Sequence, residues 1–245
     1  MSLQTIKLTL EYDGTDFVGW QYQENGRSVQ ETVEKGLSQI LQEEVRIVGA
    51  GRTDSGVHAK GQVASFRTES SLNCSALVRG LNGVLTKEIV ALHAELAVDG
   101  FNARYDARSR RYEYVIKNIP TAISRKYCWV LGYKLNFDLM NRCLDDIRGL
   151  HDFTSFCKSD SEVKHHNCNV QNVSWVKQDD ATVVLNISGD RFLHGMVRAI
   201  VGTMVEIGRG YRPEGDIARI LEAKDRRQAG MAAPPEGLFL AEVNY

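Results

Sequence analysis

Two stretches far apart in this chain alternate apolar and polar residues one by one. Ile6, Leu8, Leu10 and Tyr12 share one side of the first, and Tyr112, Tyr114 and Ile116 share one side of the second. Successive side chains of an extended strand point to opposite faces, so a period of two buries one face and leaves the other wet. Such strands need partner strands and a covering layer. A cover for the first is close by: Ser28 stands three residues ahead of Glu31, a capping box for a helix that turns Val29, Val33, Leu37, Ile40 and Leu41 inward.

The same signals recur along the chain. Residues 45–50, 62–67, 89–96, 170–177, 182–188 and 238–243 read as further strands, and residues 76–85 as a short helix. Phe137, Met140, Leu144 and Ile147 follow one another at helical spacing, residues 196–207 are apolar enough for a core helix, and Pro213 suits the first turn of the next. Strand and helix runs thus occur in both halves without a regular βαβ repeat. No Pro- or Ser-rich linker separates them. The expected organisation is two halves sharing one sheet, 1–105 and 106–245, with a soft boundary near 99–106.

Of the 245 residues, 43% are hydrophobic and 25% charged, which excludes a disordered chain. No run of eighteen apolar residues occurs, and the N-terminus lacks the basic stretch and apolar segment of a signal peptide, so a soluble, cytoplasmic protein without membrane contact is expected. Five cysteines, an odd number without CxxC spacing, fit a reducing compartment. Cys157, His165, His166 and Cys168 lie near one another, but the adjacent histidines lack the separation of common zinc motifs, and no metal is expected there.

A net charge of -1 gives no global attraction for nucleic acid. Local basic surface exists: Arg104, Arg108, Arg110, Arg111, Lys117, Arg125 and Lys126 face only Asp106 and Glu113 across that stretch. Taken alone, such a run reads as a solvated strand face and loop rather than as a binding surface.

Residues 49–58 carry the most chemical information. Glycines on both sides allow a tight backbone to present Arg52 and Asp54 together, and a carboxylate there can serve as nucleophile or base. Taken alone, Asp-Ser-Gly is also a common turn. An aspartic protease needs a second such loop, and none exists. The glycines match neither the dinucleotide fingerprint nor a phosphate loop, and Ser55 lacks the G-x-S-x-G elbow of a serine hydrolase.

GRTDSGVHAKGQVASF, residues 51–66, resembles the signature segment of the TruA family of tRNA pseudouridine synthases. Other family-like segments follow its order: YDGTDFVGWQ (12–21), RRYEYVI (110–116), HDFTSF (151–156), RFLHGMVR (191–198) and GLFL (237–240). The resemblance implies an α+β pseudouridine synthase fold, in which two similar α/β halves share a long curved, mainly antiparallel sheet with helices on one side and a central active-site cleft. It implies an isomerase that cleaves the N1 glycosidic bond of uridine and rejoins the ring through C5, at positions 38, 39 and 40 of the tRNA anticodon arm. A homodimer, no cofactor and no metal are implied as well. By the same resemblance Asp54 is the catalytic carboxylate, Arg198 its basic partner, Tyr112 the ring stacked on the target base, Arg52 the residue that holds the nucleotide out of its stack, and Leu238 part of the uracil pocket. His58, Arg110 and Arg111 complete the expected substrate-binding set. One departure stands out: members often carry an arginine after HDFxxF, where this chain reads His165-His166-Asn167-Cys168-Asn169-Val170-Gln171.

The physical argument agrees with these roles. The target base must leave its stack and be gripped while it turns, which an aromatic face such as Tyr112 does. Arg198 sits in an apolar helix, where a guanidinium needs a carboxylate partner or a route to solvent. On that basis Arg198→Met is expected to cost little stability. Whether Asp54 adds to C6, attacks C1′ or removes a 2′ proton stays open, since each route needs one carboxylate. The rivals are a non-catalytic RNA-binding or RNA-chaperone protein and, more weakly, a hydrolase with Asp54 as nucleophile.

Overall fold

The computed structural model describes residues 3–158 and 163–245. The fold is α+β, built from largely antiparallel sheet with helices packed on it. The chain divides into two compact units, Met1–Arg108 with Leu240–Tyr245, and Ser109–Phe239.

In the first unit β1 (Gln4–Tyr12) runs antiparallel to a strand on each side, His58–Thr68 and Ile89–Ala97. The predicted alternation holds: Ile6, Leu8, Leu10 and Tyr12 are all buried. α1 (Val29–Leu41) starts where the capping box placed it, with Ser28 Oγ accepting the Glu31 N–H at 3.2 Å. β2 is only Val48–Gly49, shorter than the strand expected over 45–50. The Ile47 N–H goes to the Glu34 carboxylate of α1 and the Val45 N–H to Ser38 Oγ, so side chains take the bonds a ladder would have used. β3 (His58–Thr68) pairs with β1 and β2, α2 (Cys74–Val84) begins at an Asn73 cap, and β4 (Ile89–Ala97) closes this side of the sheet. The Asn82 side chain fastens α2 to β4 by bonding both the N–H and the carbonyl of Ala91.

The second unit holds β5 (Ser109–Lys117), β6 (Trp129–Val130), α3 (Phe137–Arg142), α4 (Leu144–Ile147), β7 (Gly149–Asp152), β8 (Asn167–Lys177) and β9 (Thr182–Gly189). Strands β5, β9, β8 and β7 pair antiparallel in that order, while β6 lies parallel to β5. The helical spacing over 137–147 is real, but it is divided at Cys143 into two short helices. α5 (Met196–Gly208) is buried nearly all round, as its composition requires. α6 (Asp216–Ala223) starts after Pro213, not with it in the first turn: Gly215 adopts a left-handed φ of 82°, which ends the turn carrying Pro213 before the helix begins. β10 (Leu238–Asn244) starts in this unit, and from Leu240 onward its residues belong to the first unit beside β3. Among the described residues, no helix is long and apolar enough to cross a membrane.

Candidate active site

Asp54 lies on the loop between β2 and β3, and the first unit holds that loop from several sides. Gln62, fully buried on β3, donates to the Gly51 carbonyl at 2.8 Å and accepts the Gly51 N–H at 3.4 Å. The Tyr12 hydroxyl meets Thr53 Oγ1 at 2.7 Å, and the Trp20 N–H donates to the Thr53 carbonyl at 3.0 Å. Ser55 Oγ donates to the Phe17 carbonyl, and the Asp54 carbonyl accepts the Val57 N–H at 3.2 Å. The 12–21 segment is therefore the clasp of the 51–58 loop. Its glycines are spacing residues: a Cβ at Gly14 would come within 2.0 Å of the Val57 carbonyl oxygen, and Gly19, at φ 116°, faces the Thr53 carbonyl oxygen. The backbone on both sides of Asp54 is fixed, and the residue itself is half-buried.

His58 is buried at 1% exposure, and its Nδ1 accepts the Gly14 N–H at 3.0 Å while lying 3.1 Å from Asp13 Oδ1. An Nδ1 that accepts from an amide carries no proton to give Asp13. The ring thus supports the loop from inside. Arg52 is exposed two residues from Asp54; partial burial lowers its pKa, and the nearby Arg104 guanidinium lowers it further.

In the second unit, Arg110, Tyr112, Tyr114 and Ile116 share the buried face of β5. Tyr112, 8% exposed, stands edge-on to Phe192 with ring centroids 5.2 Å apart. Arg110, 9% exposed, donates to the Asp190 carbonyl at 2.7 Å, so it secures the turn that leads to Phe192. Arg111, on the other face, pairs with Glu113 at 2.5 Å. The basic run is therefore split by the pleat of the strand.

Arg198 occupies the first turn of α5, where a cation opposes the helix dipole and adds nothing to helix stability. Its Nε donates to the Ala233 carbonyl at 2.7 Å. Tyr114 is its neighbour: burial raises the Tyr114 pKa, Glu236 adds to the rise and Arg198 opposes it. The Tyr114 hydroxyl donates to the Pro234 carbonyl, and Gly237 lies against the same ring. Leu238, buried, follows directly. Tyr114 was expected only as an inward strand residue, and Phe192 and Gln62 were given no role, although the three lie inside the 110–116, 191–198 and 51–66 segments.

Cys157 and Cys168 are both buried, and His165 lies 3.3 Å from Arg191. Among the described residues, no group of three or more His, Cys, Asp or Glu side chains is arranged to hold a metal ion.

A family model described as tRNA pseudouridine synthase matches residues 9–106 and 145–245. The chain belongs to the tRNA pseudouridine synthase family. The matched residues include Arg52, Asp54, His58, Arg198 and Leu238, while Arg110, Arg111 and Tyr112 fall in the interval between. Relatives named tRNA pseudouridine synthase A cover that interval: one from Thermoanaerobacter sp. (strain X514) is 40% identical over 99% of this chain and 100% of its own length. Another, from Clostridium acetobutylicum, is 41% identical over 99% and 100%. An archaeal box H/ACA Nop10-Cbf5 complex of known structure is similar at 10% identity and a TM-score of 0.33, covering 96% of this chain and 46% of that one.

Proposed function

We propose that this protein converts uridine to pseudouridine in tRNA, at positions 38, 39 and 40 of the anticodon arm, with Asp54 as the catalytic carboxylate. The observation that carries the reading is family membership along the chain, joined to a half-buried aspartate on a loop braced from Tyr12, Trp20, Phe17 and Gln62. Arg198 is its cationic partner and Tyr112 the platform for the extruded base. A helix start without a side-chain cap and with an arginine in its first turn favours an anion, which suits a carboxylate that must stay ionised. Arg52 contacts the nucleotide, Leu238 lines the uracil pocket, and His58 and Arg110 act through the elements they brace. The reaction replaces the N1–C1′ bond by a C5–C1′ bond and exchanges the C5 proton for one on N1, with no net redox change and no water consumed, so the residues must hold the base, exclude water, supply the carboxylate and let that proton pass. The cytoplasm is the expected compartment.

A homodimer is part of the proposal. Val90, Leu92, Leu96 and Val98 are exposed along and just beyond β4, the last strand of the sheet on this side; Val90 pairs with Glu11 and Leu96 with Ile6, so apolar side chains stand on both faces of an edge that a second copy would cover.

The test is incubation with an unmodified tRNA transcript followed by pseudouridine mapping, with light scattering for the oligomeric state. Pseudouridine at the three positions is the expected result. Tight tRNA binding without any pseudouridine would favour the non-catalytic RNA-binding reading instead.

A further inference from the structure

Beside the catalytic loop, the first unit presents a second feature that the roles above do not use. Residues 102–106 form a closed turn. The Asn102 side chain accepts the N–H groups of Arg104 and Tyr105 at 3.0 and 3.2 Å, and the Asp106 carboxylate accepts the Asn102 N–H at 2.8 Å. The turn is anchored at Ala103, which is fully buried: its N–H goes to Ser65 Oγ at 3.0 Å and its carbonyl accepts the Tyr245 hydroxyl at 2.8 Å. An anchored turn carrying outward side chains is a rigid mount.

What it mounts is a large ring and a cation. Tyr105 is 78% exposed, an unusual cost for so large a ring, and the Arg104 guanidinium lies 5.7 Å from its ring centroid. Arg104 is also exposed and within electrostatic reach of Arg52. Arg52 is two residues from Asp54, at most about 7 Å along an extended backbone. Two cations and an exposed ring thus cluster beside the catalytic loop. Stacking faces interleaved with positive charge fit an unpaired nucleotide and its phosphate, since every base has a π-face and every linkage a negative charge.

We propose that Tyr105 and Arg104 form a second nucleotide position on this enzyme, where the Tyr105 ring stacks on an unpaired base flanking the target uridine and Arg104 holds the adjoining phosphate. The inference rests on the tRNA reading above. It makes Tyr105 a substrate-positioning residue whose loss is felt in tRNA binding more than in turnover.

The test is a cycle of protein variants against RNA variants. Tyr105→Ala should weaken binding of an anticodon stem-loop about ten-fold and raise KM similarly, while kcat changes little; Tyr105→Phe and Tyr105→Trp should bind like the native protein. Stem-loops with an abasic nucleotide on either side of the target supply the other axis. At one of the two positions the native protein should lose about as much affinity as Tyr105→Ala does, and Tyr105→Ala should lose no more on that RNA. Arg104→Ala should lower the salt slope by about one. Additive losses at both abasic positions, or Tyr105→Phe as weak as Tyr105→Ala with unchanged melting, would overturn the stacking role. Failure of the native protein to bind or modify tRNA would instead overturn the functional reading, and this inference with it.

Discussion

Arg198 donates from Nε to the carbonyl of Ala233 at 2.7 Å, and the Ala233 N–H donates back to the Arg198 carbonyl at 2.9 Å. The guanidinium is thereby tied to the segment that lies along α5, where a Cβ at Gly202 would come within 1.8 Å of the Met231 carbonyl oxygen. This changes what Arg198→Met should do. Ala233 is 1% exposed, so methionine would leave a buried carbonyl without its donor, at about 1–3 kcal/mol. The variant should melt several degrees lower, in contrast to the near-neutral change expected from sequence. If Arg198 also keeps Asp54 ionised, the acidic limb of the pH–rate profile should move to higher pH, because a carboxylate without its cation holds its proton longer. An unshifted limb in a less stable variant would leave Arg198 as a packing residue only.

Asp54→Asn should abolish pseudouridine formation and leave both tRNA binding and the melting temperature nearly native. The loop is held by the backbone of Thr53 and by Tyr12, Gln62 and Ser55, none of which depends on the Asp54 carboxylate. The amide keeps the shape but is neither nucleophile nor base. Appreciable turnover in the purified variant would remove Asp54 from the mechanism.

Tyr112 needs a finer comparison than ring against no ring. It is buried against Phe192, so Tyr112→Ala removes packing worth about 3 kcal/mol as well as any platform. Tyr112→Leu keeps most of the apolar volume without a flat face. The platform role requires Tyr112→Phe to retain activity within a few-fold and Tyr112→Leu to lose it at similar stability. Equal activity of the two would rule the platform out.

How far the sequence could be read follows from what each signal measures. Period-two alternation reports burial of one face, so the strands around Leu8, Tyr114 and Leu185 were legible, and the Ser28–Glu31 capping box located the start of α1. The two-residue strand at Trp129 was not, because so short a pairing leaves no period, and the one at Val48 was read too long, over 45–50. Pro213 misled because the decisive residue is Gly215, whose left-handed turn delays α6. At the site, Asp54, Arg198 and Tyr112 came from motif resemblance. Their supports did not, because Gln62 and Phe192 act through contacts distant in sequence. Strand pleat explains the basic run: charge counting sees Arg110 and Arg111 as one patch, while β5 sends them to opposite faces.

That division yields a prediction. Arg108 is exposed and Arg111 partly so, whereas Arg110 is spent on the Asp190 carbonyl. Arg108→Ala and Arg111→Ala should weaken tRNA binding and lower the salt slope by about one each, the second less if Glu113 already holds its charge. Arg110→Ala should lower the melting temperature instead, with any loss of affinity following from a displaced Asp190–Phe192 turn. A salt slope that drops for Arg110→Ala at native stability would return that residue to the phosphate-contact set.

The cysteines give a prediction of the opposite kind, about groups kept out of chemistry. Burial pushes the Cys168 thiol up to about 12, with Asp190 adding to the rise and Arg191 opposing it, and burial pushes Cys143 up to about 11. Thiolate is the reactive and metal-binding form, so these two should be inert near neutrality, and Cys74 alone is partly exposed. At pH 8 a disulfide reagent should label Cys74 quickly in the native protein and the other four only at the rate of opening. The sign for stability follows from the same shift. An unfolded thiol titrates near 8.5, so the contribution of protonated Cys168 is fully present below that pH and is lost as the pH rises toward 12. Melting temperatures should therefore decline through the alkaline range, and a Cys168→Ala variant should decline less steeply while starting lower for the lost volume. Rapid native labelling of Cys168 would instead mean that the β7–β8 pairing, which sets it opposite His151, opens readily, and rapid labelling of Cys157 that the turn over 154–156 does.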